Sequence, residues 1–140
     1  MENIVKDGEE KYLIIVRGLS GSGKTKFVDS IALQSDIVVS AGDFMVNSKG
    51  EYFFDPSMIE EVHEKCQQVV ETSMEKKCSH IFVHNVFATQ ADIAPYIELA
   101  ERYGYKTFSI IVECRTYERD TGFVPPEVVG RQREKFDICL

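Results

Sequence analysis

The stretch Tyr12-Leu13-Ile14-Ile15-Val16-Arg17-Gly18-Leu19-Ser20-Gly21-Ser22-Gly23-Lys24-Thr25 couples an apolar run to a glycine-rich octapeptide. Residues 12–16 are apolar throughout, which predicts a strand buried on both faces of a parallel sheet. Residues 18–25 match G-x-x-x-x-G-K-[ST] in full, in the strand–loop–helix context that gives the pattern its meaning. Glycines let backbone N–H groups turn inward around phosphates, and the next helix adds the positive end of its dipole. Lys24 can bridge β- and γ-phosphates, and Thr25 offers a hydroxyl to Mg²⁺. Gly18, Ser20, Gly21, Ser22, Gly23, Lys24 and Thr25 are therefore the candidate nucleotide-binding residues, with ATP or GTP and Mg²⁺ as the implied cofactors. The competing readings are a chance glycine-rich turn and a dinucleotide fold. The latter is weaker because its G-x-G-x-x-G spacing is absent.

Working outward, residues 36–40, 80–84 and 107–112 repeat the strand-like composition of residues 12–16. Helical sequence separates them. Residues 24–34 predict the helix after the first strand, and Asp55-Pro56 supplies an N-cap and first-turn proline for a second. That second helix carries Ile59, Val62, Cys66, Val69 and Val70 as one apolar stripe, running to about Lys76. Ile93, Tyr96, Ile97 and Ala100 form a third stripe stopped by Gly104, and residues 126–135 a last helix opened by Pro125-Pro126. Such βαβα alternation predicts right-handed crossovers and a single α/β domain over residues 1–140, with helices on both faces of a short, mostly parallel sheet.

Composition narrows the partners. At 140 residues and 44% hydrophobic content the chain can bury one core. No run approaches the roughly 18 apolar residues of a membrane span, and residues 1–7 lack a signal-peptide core, so a cytoplasmic protein without membrane association is expected. Cys66, Cys78, Cys114 and Cys139 are too scattered for a zinc site and read as reduced structural thiols. The net charge of −7 arises in residues 1–100, with 16 acidic against 9 basic side chains, which disfavours wrapping of a long polyanion. The Arg115, Arg119, Arg131, Arg133 and Lys135 stretch is either a local basic site or a solvated face.

With these segments placed, residues 12–136 resemble the polynucleotide-kinase-like P-loop family, which includes the phage 5′-kinase domain and NEDD4-binding-protein-2-like kinases. The likeness rests on the phosphate loop, on Ser40-Ala41-Gly42-Asp43-Phe44, and on Tyr52-Phe53-Phe54-Asp55-Pro56 leading into the long helix. Asn85, the segment from Pro95 to Tyr105, and Arg119 followed by Gly122, Val124 and Pro125 continue it in family order. The resemblance implies a three-layer P-loop NTPase fold of the kinase type with strand order 2-3-1-4. It also implies phosphoryl transfer from ATP·Mg²⁺ to a hydroxyl, with a nucleic-acid 5′ end, a nucleoside or a small metabolite as acceptor. Two departures touch chemistry. Gly42 stands where the family has the first Asp of an Asp-Asp-Tyr sequence, the residue thought to deprotonate the acceptor, and Met45 where it has an arginine. His84 stands where the family has an Asp supporting the Mg²⁺ shell, and a neutral imidazole is a poor ligand for a hard cation.

Lys24, Asp43 and Arg119 are accordingly the candidate catalytic residues, and Thr25 and Asp43 the candidate metal ligands. Asp43 follows the C-terminal end of a strand, where open α/β sheets bind ligands; the plain alternative is a turn residue. Arg119 resembles a lid arginine stabilising the transferred charge, or else pairs with Glu118 or Asp120 at the surface. Asp55 is a rival acid better explained as a helix cap; His84 is a core histidine, the commonest case, or a hydrogen-bond donor to a water on the γ-phosphate side, or a transition-metal ligand; and His63 and His80 are surface or structural residues. Arg131 and Arg133 are two apart, so at most one faces a ligand. Phe44, Tyr52, Phe53 and Phe54 stack a base or fill the core, with core favoured for at least two. Loss of the two carboxylates keeps open a second reading, a catalytically impaired nucleotide-binding module or NTPase switch acting through a partner.

Overall fold

The apolar run at the start of the phosphate loop forms the centre of a sheet in the computed structural model, which describes residues 9–115 and 124–138. Strand β1 (Tyr12–Arg17) lies between β3 (His80–Asn85) and β4 (Lys106–Ile111), and β2 (Ile37–Ser40) flanks β3. All pairings are parallel and the order is β2-β3-β1-β4, as the family resemblance implies. Parallel neighbours need crossover connections, and helices supply them. Helix α1 (Lys24–Ile31) follows β1, α2 (Ile59–Glu75) follows β2, α3 (Gln90–Tyr103) follows β3, and α4 (Pro126–Lys135) comes last.

The period of two along β1 divides the core. Leu13 and Ile15 are fully buried against Cys66, Val70 and Met74 of α2 and Ile93, Tyr96 and Ala100 of α3. Val16 faces the other way, onto Val28 of α1 beside Phe82 of β3. A central strand sandwiched in this way must be apolar on both sides, which is why residues 12–16 read as a continuous run. Each fully buried Leu, Ile or Val contributes about 1.5–3 kcal/mol of transfer free energy.

Element ends differ from the sequence reading where side chains bond the backbone locally. Helix α1 stops at Ile31, short of residue 34, because Asp36 closes a turn: its Oδ2 accepts the Leu33 N–H at 2.8 Å. Asp55 Oδ1 accepts from Ser57 N at 3.0 Å and from Ser57 Oγ at 2.7 Å. It therefore caps as expected, but the turn it starts, Pro56–Met58, is 3-10, and α2 proper begins at Ile59. Gly104 ends α3 in the left-handed conformation, φ 74°, as its place predicted. Strand β1 runs one residue further than its apolar pattern, to Arg17, whose guanidinium donates to backbone carbonyls inside the fold.

Candidate functional site

The phosphate loop starts where β1 ends. Gly18 N–H donates to Val86 O at 3.2 Å, which seats the loop on the strand-to-helix connection after β3. A methyl group at Gly18 would lie 2.5 Å from Ser22 Oγ and 2.6 Å from Val112 O, so only glycine fits. Gly23, with φ 99°, is the N-cap of α1 and turns the chain into the helix through a conformation that costs other residues about 1 kcal/mol or more. Lys24 Nζ donates to Gly18 O at 2.8 Å and Leu19 O at 3.0 Å, folding the ammonium back over the loop. Ser22 Oγ is buried with no hydrogen-bond partner, and Thr25 is exposed on the first turn of α1.

The C-terminal ends of the neighbouring strands bring the other candidates to this loop. Val16, His84 and Ser40 share one register row across β1, β3 and β2. Beyond Ser40 the chain tightens into a 3-10 turn, Ala41–Phe44, held by a capping box in which Asp43 Oδ2 accepts the Ser40 N–H at 2.9 Å. Asn85 Oδ1 accepts the Ala41 N–H at 2.6 Å and ties that turn to β3. His84 is 8% exposed, and burial pushes its pKa down; the Asp43 carboxylate pulls it up and the Lys24 ammonium pushes it down. Burial prevails, so the imidazole is neutral and lies within the electrostatic reach of both Lys24 and Asp43. His84 is therefore buried and neutral, as a core histidine is. His63 is likewise held below the usual histidine range by burial, while His80 pairs with Asp36 at 3.2 Å and stacks on Tyr12.

After the turn, residues 45–53 double back. Val46 bridges Tyr52, Phe53 N–H donates to Met45 O at 2.8 Å, and Asn47 Oδ1 accepts from Lys49 N and Glu51 N at 2.9 and 3.0 Å. Met45 is buried, so the position of the family arginine is a core position here. Of the four aromatics, Phe44 and Phe54 are half-buried while Tyr52 and Phe53 are exposed, the latter at 53%. Gly42 has room for a side chain: an added Cβ meets only Ser40 Oγ and Tyr52 Cε2, both at 3.7 Å.

Two contributors carried no motif. Gln132 of α4 reaches the loop, its Oε1 accepting the Ser20 N–H at 3.0 Å and its Nε2 donating to Ser20 Oγ at 2.9 Å. Arg17, 1% exposed, donates from Nε to Phe87 O at 2.8 Å and from NH2 to Ala88 O at 3.4 Å and Asp137 O at 2.7 Å. Its guanidinium lies 4.9 Å from the centre of the Phe136 ring. No periodicity marks either residue, since both are polar side chains whose partners are backbone or hydroxyl groups distant in sequence. Arg131 and Arg133 both point to solvent. Arg119, Gly122 and Cys139 lie outside the described residues. A cavity of about 380 Å³ opens between α2 and α3, lined by Glu60, His63, Glu64, Asp92 and Tyr96 among others, away from the phosphate loop.

A parallel sheet ordered 2-3-1-4 with a complete phosphate loop between β1 and α1 defines a P-loop domain of the kinase type. The chain belongs to the P-loop kinase-like family whose model is described as an AAA domain and matches residues 13–136. Human NEDD4-binding protein 2 is 33% identical over 97 residues, which is 67% of this chain and 5% of that protein. Among solved structures, one of the Pnkp1/Rnl/Hen1 complex is similar with a TM-score of 0.61 and 14% identity, over 86% of this chain and 45% of that one. The APS kinase of Mycobacterium tuberculosis, in complex with AMPPNP and APS, has a TM-score of 0.51 and 16% identity, over 88% and 68%. The chain thus spans under half of the first and a small fraction of the human relative. Among the described residues no helix is long and apolar enough to cross a membrane.

Proposed function

We propose that the chain binds ATP or GTP with Mg²⁺ on residues 18–25 and transfers the γ-phosphoryl group to a hydroxyl acceptor. The acceptor class is a nucleic-acid 5′ end, a nucleoside or a small metabolite. The observation that carries this reading is the convergence of Lys24, Asp43 and His84 at the carboxyl ends of β1, β2 and β3, beside the glycine turn. The residues fit the nucleotide. Gly18 and Gly23 shape a turn in which other residues would be crowded or strained, Ser22 Oγ is an orphaned buried polar atom within it, and Lys24 Nζ donates to two loop carbonyls that phosphate oxygens can replace. Thr25 and Asp43 would hold Mg²⁺, which when bound neutralises charge on the transferred group.

Within that arrangement Lys24 orients the phosphate chain, and Asp43 takes the acceptor proton or orients a water of the cation shell. Phosphoryl transfer depends mostly on positioning and charge, so a weakly placed base is tolerated. Arg119 keeps the charge-stabilising role that the family resemblance gives it. Tyr52, whose ring edge lies 3.7 Å from where a Cβ at Gly42 would stand, offers an exposed flat surface there for an acceptor that carries a ring.

One observation favours a second reading, a nucleotide-binding module without transfer: a buried neutral imidazole, His84, stands where the family has a carboxylate. A transfer assay with γ-labelled ATP and GTP against oligonucleotides, nucleosides and metabolites, with phosphate release measured alongside, separates the two. Labelled acceptor that disappears in Lys24→Ala supports the kinase. Triphosphate binding with neither label transfer nor phosphate release supports the module, and equal binding by wild type and Lys24→Ala refutes both.

A further inference from the structure

We propose that Gln132 is a positioning residue for the phosphate loop, linking the docking of α4 to nucleotide occupancy; this rests on the reading of residues 18–25 as a triphosphate site. The carboxamide spends both ends on one residue, accepting the Ser20 N–H at 3.0 Å and donating to Ser20 Oγ at 2.9 Å. That pairing sets the backbone direction and the side-chain rotamer of Ser20 together. Ser20 stands on the rising limb of the loop, directly before Gly21, whose φ is 79°. A loop with glycines on the left-handed side of φ has many accessible shapes, so a single shape needs outside support. The Gly18 to Val86 bond supports its base, and Gln132 supports its rim.

Helix α4 depends on the same contacts. Val129 is its one buried residue, and Arg131 and Arg133 are exposed on either side of Gln132, so the helix turns its neutral side chain to the loop and its charges to solvent. Just past its end, Asp137 N–H donates to Ala88 O at 2.7 Å and Asp137 O accepts from Arg17 at 2.7 Å. Arg17 immediately precedes Gly18. Helix α4 is therefore fastened at two points to the strand end and loop that would hold the phosphates. Coupling of this kind is reciprocal: if Gln132 favours the loop shape that receives a triphosphate, the triphosphate favours the docked helix by the same factor.

The test uses the full chain as wild type, Gln132→Ala, Ser20→Ala and the double variant, titrated calorimetrically with Mg²⁺·ATP and Mg²⁺·GTP, with amide hydrogen exchange followed with and without nucleotide. Alanine is a better helix former than glutamine, so α4 itself is not weakened. Gln132→Ala is expected to lower affinity about three- to tenfold, the worth of ordinary hydrogen bonds. Ser20→Ala should lower it less, and the double variant should match Gln132→Ala, because both changes act on one contact. Nucleotide should slow exchange across residues 126–135 in wild type and leave it unchanged in Gln132→Ala. Additive losses would assign Ser20 to the phosphate and overturn the proposal, as would unchanged or tighter binding in Gln132→Ala. A wild type that binds neither nucleotide overturns the site reading and the linkage with it. Exchange in the free chain then tests the contact alone: equal rates at residues 19–22 in wild type and Gln132→Ala would show that Gln132 supports nothing.

Discussion

Replacing Gly18 by alanine probes how tightly the phosphate loop is built into the sheet. The new Cβ would stand 2.6 Å from Val112 O, about 0.8 Å inside the 3.4 Å of ordinary contact, and 2.5 Å from Ser22 Oγ. Ser22 can rotate, although its hydroxyl is buried. Val112 O is a backbone atom, on the residue whose N–H donates to Arg17 O at 2.8 Å at the end of the β1–β4 ladder, and does not swing aside as a side chain would. Relief must come from parting β4 from β1 or from lifting the loop off Val86. Overpacking of this kind costs about 1–3 kcal/mol. For a domain of this size that lowers the melting temperature by roughly 3–15 °C. The same displacement moves the amides at the loop entry, so nucleotide affinity should fall at least about tenfold, equivalent to 1.4 kcal/mol. Thermal unfolding followed by circular dichroism and calorimetric titration with Mg²⁺·ATP read the two effects. Gly130→Ala is the control: it lies inside α4, nothing stands within 4 Å of the added Cβ, and it should raise stability by about 0.5–1 kcal/mol. A Gly18→Ala protein that melts with wild type and binds nucleotide equally would refute the geometry of the loop.

Three further outcomes are expected. Gly42→Asp finds room for its side chain, with only contacts at 3.7 Å, and should raise transfer to a 5′-hydroxyl oligonucleotide by up to about 10²–10⁴-fold if a general base is what the acceptor side lacks. No change in rate, in a variant that still binds nucleotide, would show that the base is not limiting. Asp43→Asn retains an acceptor for the Ser40 N–H, so it should melt close to wild type yet lose at least about tenfold in transfer rate, whereas Asp43→Ala should also lose the cap, worth about 0.5–2 kcal/mol. Equal rates for wild type and Asp43→Asn would remove Asp43 from the chemistry. Finally, burial lowers the pKa of His84 and of His63, so between those values and the unfolded value near 6.5 the unfolded chain binds more protons. Stability should therefore be full above about pH 6.5 and drain as pH falls through the lower folded values, and His84→Gln should make that decline shallower. A melting profile with the same pH slope in His84→Gln would mean that the imidazole charges freely in the folded protein.

The elements that local chemistry dictates were legible in the chain alone. A both-faces-buried strand announces itself as the apolar run of residues 12–16, the phosphate loop by glycines whose φ or crowding admits nothing else, the turn leading into α2 by Asp55, and the end of α3 by Gly104. Each depends on residues within a few positions of one another, and so does Asp43, which follows the end of β2. What only the tertiary structure decided are the contacts between segments far apart in sequence. Asp43 and Lys24 flank His84 because β2, β3 and β1 lie side by side, an order that the family resemblance implied and that no local pattern encodes. Arg17 reads as a break in the apolar run, yet it is buried, because carbonyl groups of residues 87, 88 and 137 converge on its guanidinium. Gln132 reads as a neutral residue between two arginines. Only the docking of α4 on the loop gives it Ser20 as a partner, 112 residues away along the chain, and hydrogen bonding at that separation leaves no mark on composition or periodicity.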